Sequence, residues 1–176
     1  KDGLPYIEKA PMPYPVIQHS MASPSTVAHI MYEKFVNALP LYRQEKDWAL
    51  LGVKLSRATM SNWIIIAARN WLKSLTNLMH TRLVNETYLH ADETPVQVLK
   101  ESGRKDTSDS YMLVYSTYAS SKTPIRLFDY KPSRSGDCPQ KFLKGFKGYL
   151  HTDCYKGYNK VPKITRCLCW THLRRY

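Results

Sequence analysis

The sequence predicts an α/β fold in which a helical region precedes a mixed five-stranded sheet with flanking helices. Three observations carry that expectation. Apolar residues recur at helical spacing up to about Leu83 and then alternate with polar ones, so the period changes from 3.6 to 2. Two apolar stretches each end in His-x-Asp, at His90/Asp92 and at His151/Asp153. The second part reads as three meandering strands, a helix, a strand, a connection and a last strand.

At 176 residues, 43% of them hydrophobic, the chain suits one medium domain, or a small one with a helical extension, and is long enough for a real core. No apolar run reaches transmembrane length, and Lys1-Asp2-Gly3 does not open a signal peptide. A cytoplasmic protein without membrane contact is expected. Cys138, Cys154, Cys167 and Cys169 are then expected as reduced thiols rather than a disulfide framework. Lys and Arg number 26 against 14 Asp and Glu, a net charge of +12 spread along the chain. That excess favours a polyanionic partner, because each basic group set against a phosphate releases condensed counterions.

Residues 1–22 hold Pro5, Pro11, Pro13 and Pro15 without apolar periodicity, which argues for an extended arm. The helical region occupies 23–84. Ser23 is placed to cap a first helix with Pro24 at its first position, and Val27, Ile30, Met31, Phe35 and Ala38 come at helical spacing until Pro40. A short helix over 41–51 should end at Gly52 in a left-handed cap. Ser56 then caps a longer helix, apolar at Met60, Trp63, Ile64, Ala67, Trp71, Leu75 and Leu78. The hairpin over 45–67 has helix-turn-helix proportions, with Arg57, Thr59 and Asn62 available to a DNA groove. A plain packing hairpin with glycine at its turn reads the same way.

The sheet is expected over 85–176. Its strands fall at about 88–91, 111–117, 124–130, 148–151 and 164–169, with Pro95 stopping the first stretch. A polar turn covers 101–110, a short helix 137–144, loops 132–136 and 156–159, and Thr171 opens a last helix. This order matches a ribonuclease H-like arrangement, in which the first and fourth strands are neighbours. Side chains two apart on a strand share a face, so Asp92 and Asp153 would then face one another and can hold a divalent cation. Glu93 points the other way along the strand and is placed to support the site or to face solvent. His90 and His151 are either ligands, which would suit Mn²⁺ or Zn²⁺, or imidazoles hydrogen-bonded to backbone, the more usual fate. Cys167, Cys169 and His172 can seed a zinc site with Cys154, though the spacing is narrow for one. Arg134, Lys156, Lys160, Arg174 and Arg175 are candidate phosphate contacts, and Tyr155 and Tyr158 can stack on a frayed base.

The stretches HADETPVQVL, LFDYKPSRSGDCPQKFLKGFKGYLHTDCYKGYN and CWTHLRR resemble the DDE transposases of bacterial insertion sequences, specifically the insertion sequence 66 family. HSMASPSTVAHIMYEKFVNALPLYRQEKDWALLGVKLSRATMSNWI is similar to that family's pre-catalytic region, so the likeness runs from about Pro15 onwards. The resemblance implies a DNA strand-cleaving and strand-joining enzyme of the bacterial nucleoid that acts as an oligomer on element ends and target. It makes Asp92 and Asp153 the first two acidic residues of the catalytic triad, serving two Mg²⁺ or Mn²⁺ ions about 4 Å apart in the complete site. The third, a Glu, lies in the family beyond the CWTHLRR motif, so this segment alone is expected to be weak or inactive. Cys154 stands where the family usually has Gly. The alternative is a DNA-binding module on a nuclease-like fold that does not cut.

Overall fold

The computed structural model describes residues 8, 10, 11 and 14–174. The chain divides into two compact units, Lys1–Ser74 and Leu75–Tyr176.

The first unit is built on three helices, α1 (Pro24–Phe35), α2 (Leu41–Leu50) and α3 (Arg57–Ala67). Ser23 and Ser56 cap α1 and α3 as expected, each side chain accepting an amide three residues on at 3.1 Å. The buried Gln44 amide of α2 donates to the carbonyls of Ile30 (3.3 Å) and Leu39 (3.0 Å), tying α2 to α1. Gly52 takes the positive φ of +78° that turns the chain from α2 towards α3. Glu45 accepts the Arg57 amide at 3.1 Å, closing the hairpin. Of the proline-rich stretch, residues 1–7, 9, 12 and 13 lie outside the described residues. Val16–His19 turns, with Ile17 and Ala22 buried against Val27 and Ala67.

Two expectations for the helices are corrected. The first helix ends at Phe35, well before Pro40, because Ala38 adopts a φ of +54° that no helix continues through. The long helix is interrupted by a π turn over Ala68–Leu72 before α4 (Lys73–Leu83). A π turn takes an extra residue per turn and so rotates the side chains beyond it about the helix axis. Met60 and Ala67 are buried, while Trp71, Leu75 and Leu78, expected on the same stripe, are exposed.

The second unit contains one five-stranded sheet of β1 (Tyr88–Gln97), β2 (Asp109–Thr117), β3 (Arg126–Lys131), β4 (Tyr149–Thr152) and β5 (Thr165–Leu168). Their order is β3-β2-β1-β4-β5, with the first three antiparallel and β4 and β5 parallel to β1. This is the ribonuclease H-like arrangement anticipated from the order of elements. One face carries Leu89, Ala91, Leu113, Tyr115, Leu127 and Leu150 into a core completed by Leu83, Leu143, Phe146 and Tyr158. Burying such side chains contributes about 1.5–3 kcal/mol each, which is what holds the register. Between β3 and β4 runs α5 (Asp137–Phe142), whose Phe142 ring stacks on Tyr115 at 3.9 Å; α6 (Trp170–Leu173) comes after β5.

β1 does not stop before Pro95. It pairs with β2 from Leu89 to Gln97, whereas its pairing with β4 covers Tyr88 to His90. At Pro95 the strand therefore has one neighbour, and a missing amide hydrogen on the open side removes no ladder bond. The stretch after Asp153, expected as a loop, is a 3₁₀ turn over Lys156–Lys160 that buries Tyr158 completely. Gly157 in this turn has the Tyr155 ring so close that an added Cβ would lie 2.2 Å from it. Gly157→Ala is expected to displace that ring and cost about 1–3 kcal/mol in urea unfolding; an unchanged midpoint and slope would contradict the packing described.

Candidate metal centre

The site grows from the β1–β4 pairing. In this parallel ladder Leu89 stands opposite Leu150 and His90 opposite His151. Leu89, Ala91 and Leu150 face the core, so His90, Asp92 and His151 take the opposite face, and Asp153 follows directly after β4. Paired strands are about 5 Å apart; Asp92 lies two residues past His90 in the middle of β1, and Asp153 two past His151, just beyond the end of β4. Both line one cavity of about 300 Å³, with Arg126, Cys169 and His172 among its other walls.

Each carboxylate is oriented by a backbone amide and keeps further lone pairs for a ligand. Asp92 Oδ1 accepts the Glu93 amide at 2.9 Å, and Asp153 Oδ1 accepts the Tyr155 amide at 2.9 Å. Two oxygen donors of this kind, on adjacent strands and opening on one cavity, fit a hard divalent cation such as Mg²⁺ or Mn²⁺. Among the described residues no group of three or more His, Cys, Asp and Glu is assembled to hold a metal. The fit is therefore that of a pair of donors, and neither the zinc arrangement of Cys154, Cys167, Cys169 and His172 nor a four-ligand His/Asp cage is formed.

The histidines meet each other. His90 Nδ1 and His151 Nδ1 are 2.8 Å apart, which requires one to donate and the other to accept. His90 also stacks on Tyr118 at 5.3 Å. Burial, then the neighbouring His151, lowers the His90 pKa, which favours the neutral ring.

Glu93 faces the other way, with its side chain only 4% exposed. Its Oε1 accepts Arg134 Nε at 2.9 Å and Nη2 at 2.5 Å, while Oε2 accepts the Tyr158 hydroxyl at 2.6 Å. Tyr158 is thus committed to the core, and its hydroxyl pKa is raised by burial and by Glu93. Tyr155 lies under the Arg134 guanidinium at 4.2 Å and its hydroxyl donates to the Arg134 carbonyl.

Arg166, which no sequence motif singles out, holds the loop that carries Asp153. From β5 it donates through Nε to Thr152 Oγ1 (2.9 Å), through Nη1 to Asn159 Oδ1 (2.5 Å), and through Nη2 to the carbonyls of Asp153 (2.6 Å) and Tyr155 (2.8 Å). Its only sequence signal is a charge inside a short strand, which is costly unless paired.

The candidate phosphate contacts are scattered. Lys156 and Lys160 are exposed on the 3₁₀ turn, Lys160 pairing with Asp137 at 2.7 Å. Arg174 is exposed just past α6, and Arg175 lies outside the described residues. In the first unit Arg57 and Asn62 are exposed on α3, and the half-buried Thr59 shares the Ser56 cap through its hydroxyl at 2.9 Å.

Cys169 opens on the same cavity as the aspartates. Hydrogen bonds from the backbone and then the side chain of His172 draw its thiol down to about 7. Alkylation of Cys169 by iodoacetamide is expected to be half-maximal near pH 7 when monitored by peptide mass spectrometry. A half-maximum near the ordinary thiol value of about 8.5 would contradict those contacts.

A family model described as "Transposase IS66 family" matches residues 19–176. Among curated proteins, the chain is similar to three uncharacterized proteins of Sinorhizobium fredii (strain NBRC 101917 / NGR234). These are y4qI (28% identity, 99% of this chain, 34% of the relative), y4hP (26%, 96% and 32%) and y4jD (28%, 96% and 35%). The chain thus spans about a third of the length of these relatives. No solved structure gives a significant match.

Proposed function

Because this chain belongs to the IS66 family of transposases, we propose that it forms part of a catalytic core that cuts and joins DNA strands with Mg²⁺ or Mn²⁺, and that Asp92 and Asp153 are two of its metal-binding carboxylates. The observation that carries this reading is that both open on one cavity, each two residues past the His90–His151 pair of neighbouring parallel strands. Asp92 and Asp153 would hold a divalent ion whose chemistry there would be to activate an attacking oxygen and stabilise a leaving one in displacement at phosphorus. The protein's own part is to present two anionic oxygens on a rigid sheet. The Glu93 and Tyr155 amides aim the carboxylates, and Arg166 pins the turn behind Asp153. A third carboxylate and a second ion complete the site in this reading, in an oligomer assembled on paired element ends in the bacterial cytoplasm.

DNA would be held by Arg57, with Thr59 and Asn62, on the hairpin of the first unit, and by Lys156, Lys160, Arg174 and Arg175 of the second. No helix among the described residues is long and apolar enough to cross a membrane. Affinity for duplex DNA is expected to fall steeply with salt, each neutralised phosphate adding about 0.9 to the log–log slope. A flat response in fluorescence anisotropy would remove the electrostatic part of the reading. The catalytic part is tested in a complete transposase carrying this segment. Asp153→Asn should there reduce strand cleavage at least about a thousandfold, roughly 4 kcal/mol of barrier. Cleavage surviving that change would leave a DNA-holding module instead.

A further inference from the structure

Arg134 is the one cation within ion-pair range of a proposed metal-binding carboxylate among the described residues: its Nη2 lies 3.8 Å from Asp153 Oδ2. That distance permits attraction but exceeds a hydrogen bond. The same Nη2, together with Nε, is taken up by Glu93 at 2.5 and 2.9 Å. Glu93 is itself a buried carboxylate, and Tyr158 donates to its second oxygen at 2.6 Å. The Tyr155 ring supports the guanidinium from one side at 4.2 Å. A buried carboxylate, a buried tyrosine and an aromatic ring thus hold one arginine short of Asp153.

We propose that Glu93 and Arg134 form a tethered counter-charge that sets how strongly Asp153 takes up a divalent cation. The inference rests on the reading of Asp92 and Asp153 as metal ligands and assigns positioning roles to two residues that do not bind the ion. Without the tether, the guanidinium is free to close on Asp153 as a direct, two-pronged ion pair, the geometry arginine favours with carboxylates. It then competes with the metal for the same oxygens. With the tether, Arg134 tempers the charge of Asp153 from 3.8 Å yet leaves its Oδ2 open. The peptide neighbours Asp92 and Glu93 divide the work by facing opposite sides of β1, one towards the cation and one towards the arginine.

The test is Mn²⁺ binding by this chain, read as free Mn²⁺ in electron paramagnetic resonance titrations, with thermal melting to confirm folding. Glu93→Gln keeps shape but removes the charge that retains Arg134, and should weaken Mn²⁺ binding about tenfold through competition at Asp153. Adding Arg134→Gln to it should restore binding to within about threefold of wild type, because the competitor is gone. Where Glu93→Gln does not fold, Arg134→Gln alone decides the matter, with binding equal to wild type or tighter expected. Equal losses in the Glu93→Gln single and the double variant, or weaker binding in Arg134→Gln, overturn the tether while leaving the carboxylate pair intact. Wild type that takes up no Mn²⁺, or takes it up equally well after Asp92→Asn, overturns the carboxylate reading itself and the tether with it.

Discussion

Asp92→Asn and Asp153→Asn are each expected to remove measurable Mn²⁺ binding from this chain in calorimetric titration, a loss of at least about tenfold. The substitution keeps size and hydrogen-bonding shape while deleting the anionic charge that a hard cation requires. Stability should hardly change. Asp92 is exposed, and Asp153 accepts one amide that an asparagine oxygen also accepts. A large loss of binding with a small change in melting temperature is therefore the signature of a ligand, as opposed to a turn-capping residue. Should both variants bind Mn²⁺ as wild type does, the cation sits elsewhere or nowhere.

Arg166→Ala should have the largest effect on folding. Four acceptors on the segment from Thr152 to Asn159 lose their donor at once. Hydrogen bonds from a charged donor contribute about 1.5–3 kcal/mol each and do not add fully. A combined loss of about 3–4 kcal/mol is expected, seen as a fall in melting temperature of about 10 °C. Mn²⁺ binding should fall as well, since the backbone of Asp153 is among the groups released. Arg166→Lys should recover little, because an ammonium cannot reach a side-chain hydroxyl, an amide and two carbonyls with one planar fork. Full stability in Arg166→Ala would mean that the turn is held by its own backbone bonds.

The parts legible in the sequence are those with local signals. Ser23 and Ser56 announce their helices by capping chemistry, and the two apolar stretches that each lead into His-x-Asp form neighbouring parallel strands. The contacts without a local signal depend on partners far away in sequence. Glu93 and Arg134 meet across 41 positions, Glu93 and Tyr158 across 65, and no periodicity records either meeting. The contact of His90 with His151 comes from strand register, which becomes visible only once β1 and β4 are known to be paired. Pro95 misleads because a proline reads as a strand stop, and only the sheet shows that β1 has an open side there. The π turn at Ala68–Leu72 has no marker: its residues suit a plain α-helix, so the apolar periodicity runs straight through it.

The most direct measurement is anomalous diffraction from crystals of this chain soaked in millimolar Mn²⁺. The expected result is a peak between Asp92 and Asp153, with oxygens of both side chains within about 2.3 Å of the ion. No peak in that cavity, or one held by His90, His151 or Cys169 without either aspartate, would contradict it.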